Sequence, residues 1–340
     1  VNKNTFQIDA KDRKILYELD KNARQSNAEI GRKVRLSKEV VNYRIGRMVE
    51  RGEILKFHTI VNYFKLGVVK YKLYLRLRNV DREKLEEIGE YFRKHEKTEW
   101  VVTCTGRWDM IVSYIVRNVN EFDDEVQNMM NRFSQHVQEK AMTITLYLAH
   151  HVREYLGDVP AHERRSVVYH TSADKLERVE ELDLKILKII ANNARMPVRE
   201  IAAQLKTTPR VVQYRLRKME KDNIILAYKV HLDPKTMGNV FCKAIVYLAS
   251  STKERLNQFV SYCSSLPQAV WPQRVMGAWD FELDFELENY DRFQETMFDI
   301  KEKFSDIIQN YEFIIVSKEF KLNFYPGCKP GFSEGTSARL

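Results

Sequence analysis

The sequence predicts an α+β chain made of two copies of one two-part unit, a three-helix module followed by a βαββαβ module. Three observations predict it. Residues near 9–145 return near 180–316 at a constant offset of 171 positions, with no gap. The first part of each copy carries apolar residues at helical spacing, and the second alternates apolar and polar residues with a period of two. Asp12, Ile15 and Leu16 recur as Asp183, Ile186 and Leu187, and Asn22-Ala23-Arg24 recurs as Asn193-Ala194-Arg195. Far downstream, Trp100, Gly106, Trp108 and Asp109 recur as Trp271, Gly277, Trp279 and Asp280. Chance does not hold register over that length, so the unit is duplicated.

In the first part, Ile15, Leu16 and Leu19 predict an amphipathic helix that ends at Asn22-Ala23-Arg24. Ala28, Ile30 and Val34 suit a short second helix, and Arg35-Leu36 makes a tight turn. Ser37 is an N-cap for a third helix running to about Arg51, with Val41, Ile45 and Met48 inward and Gly52 stopping it. The second copy repeats the plan, with Thr208 as N-cap and Pro209 at the first helical position, where its missing N–H costs little. An extended segment follows each module, carrying Ile54, Phe57 and Ile60 in one copy and Ile225, Tyr228 and Val230 in the other, like the strand that leaves a winged helix.

In the second part, 69–78 alternates Val69, Tyr71, Leu73, Leu75 and Leu77 with polar residues, which reads as a half-buried strand. A helix over 81–95, strands over 100–105 and 110–116, a helix over 120–135 and a strand over 141–148 complete a ferredoxin-like βαββαβ order. The second copy gives the same order over 239–249, 252–265, 269–276, 281–287, 290–304 and 311–319.

The expected organisation is therefore a helical module over 9–56, a linker strand over 57–67 and a βαββαβ domain over 68–150. A tether over 151–180 leads to a second helical module over 181–227, a linker strand over 228–238, a second βαββαβ domain over 239–324 and a disordered tail over 325–340. A tether of roughly 30 residues reaches up to about 100 Å, so it does not fix how the copies sit.

Composition bounds the function. With 44% hydrophobic and 30% charged residues the chain is a folded, soluble type. No apolar run approaches a membrane span, and the first residues have no signal-peptide core. Cys104, Cys242, Cys263 and Cys328 stand singly, fitting neither a disulfide framework nor zinc spacing, and point to the cytoplasm; Cys104 and Cys242 read as core residues. His150, His151, His162 and His170 lack the carboxylate or Cys spacing that completes a metal site. No phosphate loop, nucleophile triad or pair of catalytic carboxylates is present, so no catalytic residue, cofactor or metal is expected.

The net charge of +9 is concentrated. Residues 9–56 hold 13 Lys/Arg against 8 Asp/Glu, and 181–227 hold 10 against 5, so these two segments carry more than the whole excess. Two basic modules point to polyanion contacts. Three helices with a tight turn before a basic third helix form a helix-turn-helix. The outward face of that helix offers Ser37, Lys38, Glu39, Asn42, Arg44 and Arg47 in the first copy, and Thr208, Arg210, Gln213, Arg215, Arg217 and Lys218 in the second. Asn42 and Gln213 are assigned to base reading, because Asn and Gln bond adenine edges bidentately. Lys38, Glu39 and Arg210 are placed near the groove. Arg44, Arg47, Arg215 and Arg217 are expected to position the helix on the phosphate backbone. Double-stranded DNA is the expected partner; a membrane is not.

A helix-turn-helix, a linker strand and a βαββαβ domain with Gly-x-Trp-Asp between its middle strands resemble the Lrp/AsnC family, in two full copies. The resemblance implies a DNA-binding transcriptional regulator. It implies that the second domain, called RAM, drives self-association, and that a small effector, such as an amino acid, binds near the Gly-x-aromatic-Asp turn. Carried over, Gly106, Trp108, Asp109, Gly277, Trp279 and Asp280 are effector-loop candidates; the alternative is a hairpin turn whose Trp packs in the dimer core. The sharper expectation is a covalent pseudo-dimer with unlike recognition helices, Ser37-Lys38-Glu39-Val40-Val41-Asn42 against Thr208-Pro209-Arg210-Val211-Val212-Gln213. Two alternatives stand beside it. One is a siroheme (tetrapyrrole) decarboxylase-like enzyme on the same fold, to which His58 and His231, out of step by two positions, lend thin support. The other is an effector sensor whose DNA contacts have decayed.

Overall fold

A computed structural model of the chain describes residues 8–157, 167–170, 176–177 and 179–325. Half of the expected tether, including His162, and the expected tail beyond Tyr325, including Cys328, lie outside the described residues.

Each helical module forms where its caps and apolar stripe place it. Helices α1 (Ala10–Lys21), α2 (Asn27–Val34) and α3 (Lys38–Glu50) make the first, and α6 (Glu181–Ile190), α7 (Val198–Gln204) and α8 (Pro209–Lys221) the second. The Asp9 carboxylate accepts from the N–H groups of Lys11 and Asp12, closing a capping box that starts α1. Arg35 takes the left-handed conformation, φ 57°, that ends α2 and makes the tight turn. Ile15, Leu16, Ile30, Val41, Ile45 and Met48 are buried, as are Ile186, Leu187, Ile201, Val212, Leu216 and Met219.

Strands β1 (Ile54–Val61) and β7 (Ile225–Leu232) pair antiparallel with each other, and each packs on the other copy's helices. Val230, Leu232 and Met237 complete the first module's core; Val61, Tyr63 and Leu66 belong to the second's. Fully burying one such side chain is worth about 1.5–3 kcal/mol, so neither core is complete without the opposite copy. The recurring Asn-Ala-Arg serves this exchange. Ala23 N–H donates to Tyr228 O at 2.8 Å and Ala194 N–H to Phe57 O at 3.0 Å. Arg24 donates to Ala194 O and Arg195 to Ala23 O, each at 2.6 Å.

The two βαββαβ modules are fused more deeply still. Strands β2 (Val69–Leu77), β3 (Thr98–Gly106), β4 (Met110–Val116) and β5 (Val137–His150) come from the first copy. Strands β8 (Val240–Leu248), β9 (Ala269–Gly277), β10 (Phe281–Leu287) and β11 (Ile308–Leu322) come from the second. They run in the order β2-β4-β3-β11-β8-β10-β9-β5, and β5 also pairs with β2, which closes the ring. All these pairings are antiparallel, and the seams are β3 with β11 and β5 with β9. A short strand, β6 (Val167–His170), pairs with the end of β5 inside the expected tether.

Helices α4 (Arg82–Lys94), α5 (Val119–Phe133), α9 (Lys253–Ser265) and α10 (Tyr290–Lys303) cover the outer faces. Under them lie Leu73, Leu75, Phe92, Val112 and Phe122, and in the second copy Phe259, Phe281, Leu283, Phe285 and Phe293. Cys104, Cys242 and Cys263 are buried free thiols.

Closure corrects one expectation. The polar face of the alternating strands is not solvated: it lines the barrel, so Lys70, Lys72, Lys243, Glu282, Asp284 and Glu286 are all buried. A half-buried strand and a strand with a polar interior face give the same alternation. The last strands of each copy are also longer than the apolar pattern predicts, because β5 and β11 each pair with neighbours from both copies. The tether begins later than expected, since Val152, Arg153 and Leu156 are buried.

Candidate nucleic-acid interface

The recognition helices start on side-chain caps. The Ser37 hydroxyl accepts from Val40 N–H and the Thr208 hydroxyl from Val211 N–H, each at 3.3 Å. Lys38, Glu39 and Asn42 are exposed on α3, and Arg210, Gln213 and Arg217 on α8. Asn42 is held by Asn27, whose amide donates to its Oδ1 at 3.0 Å. Lys38, Arg210, Arg217 and Lys218 have no ion-pair partner among the described residues.

Glu39 and Arg210 occupy the same position of the repeat, so the two heads carry opposite charge at one place on the reading face. Tyr43 and Tyr214, also equivalent, stand 67% and 63% exposed on the two helices. The sequence pattern held a signal for them, because a large aromatic recurred off the inward stripe.

Arg44, Arg47 and Arg215 are engaged within their own modules. Arg44 donates to Asp9 at 2.6 Å and to Asp12 at 2.8 Å, and Arg47 donates to Asp12 at 3.0 Å. Arg215 pairs with Glu180 at 2.6 Å and Asp183 at 3.4 Å, the equivalent carboxylates. Asp12 and Asp183 are buried. These bridges tie the third helix to the first, and the bonds to Asp9 and Asp12 raise the Arg44 pKa above its ordinary value. Helical spacing put these arginines near the outward face, but it did not reveal the carboxylates that α1 and α6 bring beside them.

The Gly-x-Trp-Asp turns sit at one end of the barrel. Trp108 and Trp279 are buried and meet with ring centroids 6.1 Å apart. Asp109 accepts from Leu77 N–H at 2.7 Å and Asp280 from Leu248 N–H at 2.8 Å. Gly106 and Gly277 have φ of 130° and 137°, and a Cβ there would lie 2.5 Å from Phe313 O and 2.4 Å from Met142 O on the strand across each seam. The turns thus close the barrel, the packing role the sequence left open.

Midway along the barrel, Lys72 and Lys243 both donate to Glu282. Lys243 also meets Asp284 at 2.6 Å, and Lys72 donates to Gln273 at 2.6 Å. Burial brings the Lys72 pKa down to about 8, against the pull of Glu282. In the first copy, Ile111 and Ser113 hold the positions of Glu282 and Asp284. Beyond this layer, facing the β1–β7 ribbon, lies a cavity of about 650 Å³.

Two stretches of the chain, 8–54 and 179–225, match the family model for winged helix-turn-helix DNA-binding domains. The chain is similar to the proline dehydrogenase transcriptional activator of Rhodobacter capsulatus, with 32% identity over 116 residues, 34% of this chain and 75% of that one. It is also similar to the transcriptional regulator LrpC of Bacillus subtilis, with 28% identity over 142 residues, 42% of this chain and 94% of that one. The chain belongs to the Lrp/AsnC family of transcriptional regulators. As a member of that family it carries the helix-turn-helix and its partner domain twice. Its fold is also like that of the siroheme decarboxylase NirDL, with a TM-score of 0.61, 12% identity and 93% of each chain covered. No helix among the described residues is long and apolar enough to cross a membrane.

Proposed function

We propose that a single chain is the DNA-binding unit, a covalent pseudo-dimer that presents two unlike reading heads to one operator. The observation that carries this reading is the pairing of β3 with β11 and β5 with β9, which uses within one chain the strand edges that would otherwise recruit a second. Asn42 and Gln213 read base edges, with Glu39 and Arg210 setting different neighbours: a carboxylate accepts from cytosine, a guanidinium donates to guanine. Lys38, Arg217 and Lys218 neutralise phosphates, a role in which they replace the bridged Arg44, Arg47 and Arg215. Self-association then joins whole two-headed units. Site selection from random duplexes tests the reading. It expects two unlike half-sites, and a strictly palindromic consensus would count against it.

A second reading, a tetrapyrrole-modifying enzyme, is favoured by one observation, the likeness in fold to NirDL. Absorbance titration with an iron tetrapyrrole decides it: a saturable spectral shift supports the enzyme, and an unchanged spectrum removes it.

A further inference from the structure

The barrel cavity lies on the local two-fold axis, because its wall includes both members of the equivalent pairs Trp100 with Trp271 and Lys70 with Phe241. Its volume, about 650 Å³, falls in the range of small-molecule sites. Trp100, Phe241 and Trp271 form an aromatic belt, with Phe241 6.2 Å and 5.6 Å from the two indoles. The buried charged groups on the wall are paired: Lys70 with Glu99 at 2.6 Å, His231 with Glu319 at 3.1 Å, Asp284 with Lys243 and Glu286 with Arg153; Asp233 and Lys235, at the rim, have no ion pair among the described residues. A belt of rings whose buried charges are already paired suits a flat aromatic guest whose substituents hydrogen-bond, and it disfavours a multiply ionic one deep in the cavity.

One wall residue leads directly to a reading head. Glu286 takes two bonds from the buried guanidinium of Arg153, at 2.7 Å and 2.9 Å. The same guanidinium donates to Asp20 of α1 at 3.0 Å, and the Arg153 backbone N–H donates to Asp20 at 2.7 Å. Displacing Glu286 would strip a buried cation of one of its two carboxylates, which is costly, so α1 and the cavity wall are coupled. The second head has no such ionic link among the described residues; there the wall residue Phe324 reaches the end of α6 by packing and through its N–H, which donates to Asn192 at 3.3 Å. The equivalent positions hold Ala191, Phe324 and Ile115, and Ala191 and Phe324 lie in one apolar cluster.

We propose that this cavity binds a flat aromatic small molecule, and that its occupancy is read by the first helix-turn-helix through Glu286, Arg153 and Asp20. The relay rests on the DNA-binding reading; the site itself does not.

The neutral probe N-phenyl-1-naphthylamine tests both parts on the full chain. Its emission should rise saturably at one probe per chain and quench tryptophan emission. Ser317→Phe, which fills the exposed mouth beside the wall, should lower the probe's affinity at least tenfold. No saturable emission, or equal emission from Ser317→Phe, overturns the site. For the relay, the probe should change affinity for a selected duplex at least threefold in the unaltered chain. The variant Asp20→Asn, which breaks the relay at a residue outside the cavity wall, should keep probe binding while abolishing that change. Arg153→Lys, which keeps the cation but cannot hold Glu286 and Asp20 together through one guanidinium, serves if Asp20→Asn does not fold. An equal change in these variants overturns the relay and leaves the site standing. A chain that takes up the probe but binds no duplex at low salt overturns the relay by overturning the DNA reading.

Discussion

His58 and Lys229 face each other across the centre of the β1–β7 ribbon. They are the same position of the repeat, 171 residues apart, so the local two-fold axis passes between them and its two sides are chemically different. His58 stacks on Phe324 with centroids 3.6 Å apart, while Lys229 donates to His151 O at 2.8 Å and meets Asp20 at 3.3 Å. The unlikeness of the two heads therefore extends to the joint that holds them.

The joint should be sensitive to acid. Burial first, then the nearby charges of His231, His150, Lys229 and Arg153, push the His58 pKa well below 6.5. Below that pH the unfolded chain takes up a proton that the folded ribbon refuses. Stability is therefore full above about 6.5 and declines as pH falls beneath it. Denaturant midpoints between pH 7.5 and pH 5 should fall in the unaltered chain, and His58→Phe should flatten part of that slope.

Gly277→Ala should strain the β5–β9 seam. A side chain at φ 137° with its Cβ 2.4 Å from Met142 O has no relaxed position, and a strained backbone site costs about 1–3 kcal/mol before any strand moves. The urea midpoint should drop, and the paired Trp108 and Trp279 should report a changed environment by fluorescence. Gly106→Ala should do the same at the other seam.

Asp12→Ala should act on stability before it acts on DNA. The buried carboxylate accepts from both Arg44 and Arg47, and since both arginines are partly exposed and Arg44 keeps Asp9, losing these charge-assisted bonds costs about 1.5–3 kcal/mol. Arg44→Ala, which leaves Asp12 one partner, should cost less. Thermal unfolding measures both, and protease sensitivity localises the loss to residues 9–56.

Glu39→Arg should make the first head resemble the second. Affinity for mixed-sequence duplex should rise and the salt dependence should steepen by about one phosphate's worth, while preference at the first half-site weakens. Asn42→Ala and Gln213→Ala should each alter preference at separate base pairs, by about 1–3 kcal/mol of discrimination. Competition binding against single-base variants of the selected site resolves the two.

The helices, their caps and the strand order were legible because each is written locally, in apolar spacing and in residues such as Ser37, Thr208 and Pro209. What joins the copies was not. The bonds of Arg24 and Arg195 to opposite carbonyls, and the exchange of β1 and β7, connect residues about 170 positions apart, and no local pattern encodes them. Lys72, Lys243 and Glu282 looked like the wet side of a sheet because alternation does not say what faces the polar side. Ile115, Phe324 and Ala191 stand at the positions of Glu286, Arg153 and Asp20, a contrast visible only once the fold shows that each set meets in space.

Native mass spectrometry of the complex with the selected duplex tests the central claim most directly. The account predicts one chain on one duplex with two unlike half-sites. Two chains on one inverted repeat of a single half-site would contradict it.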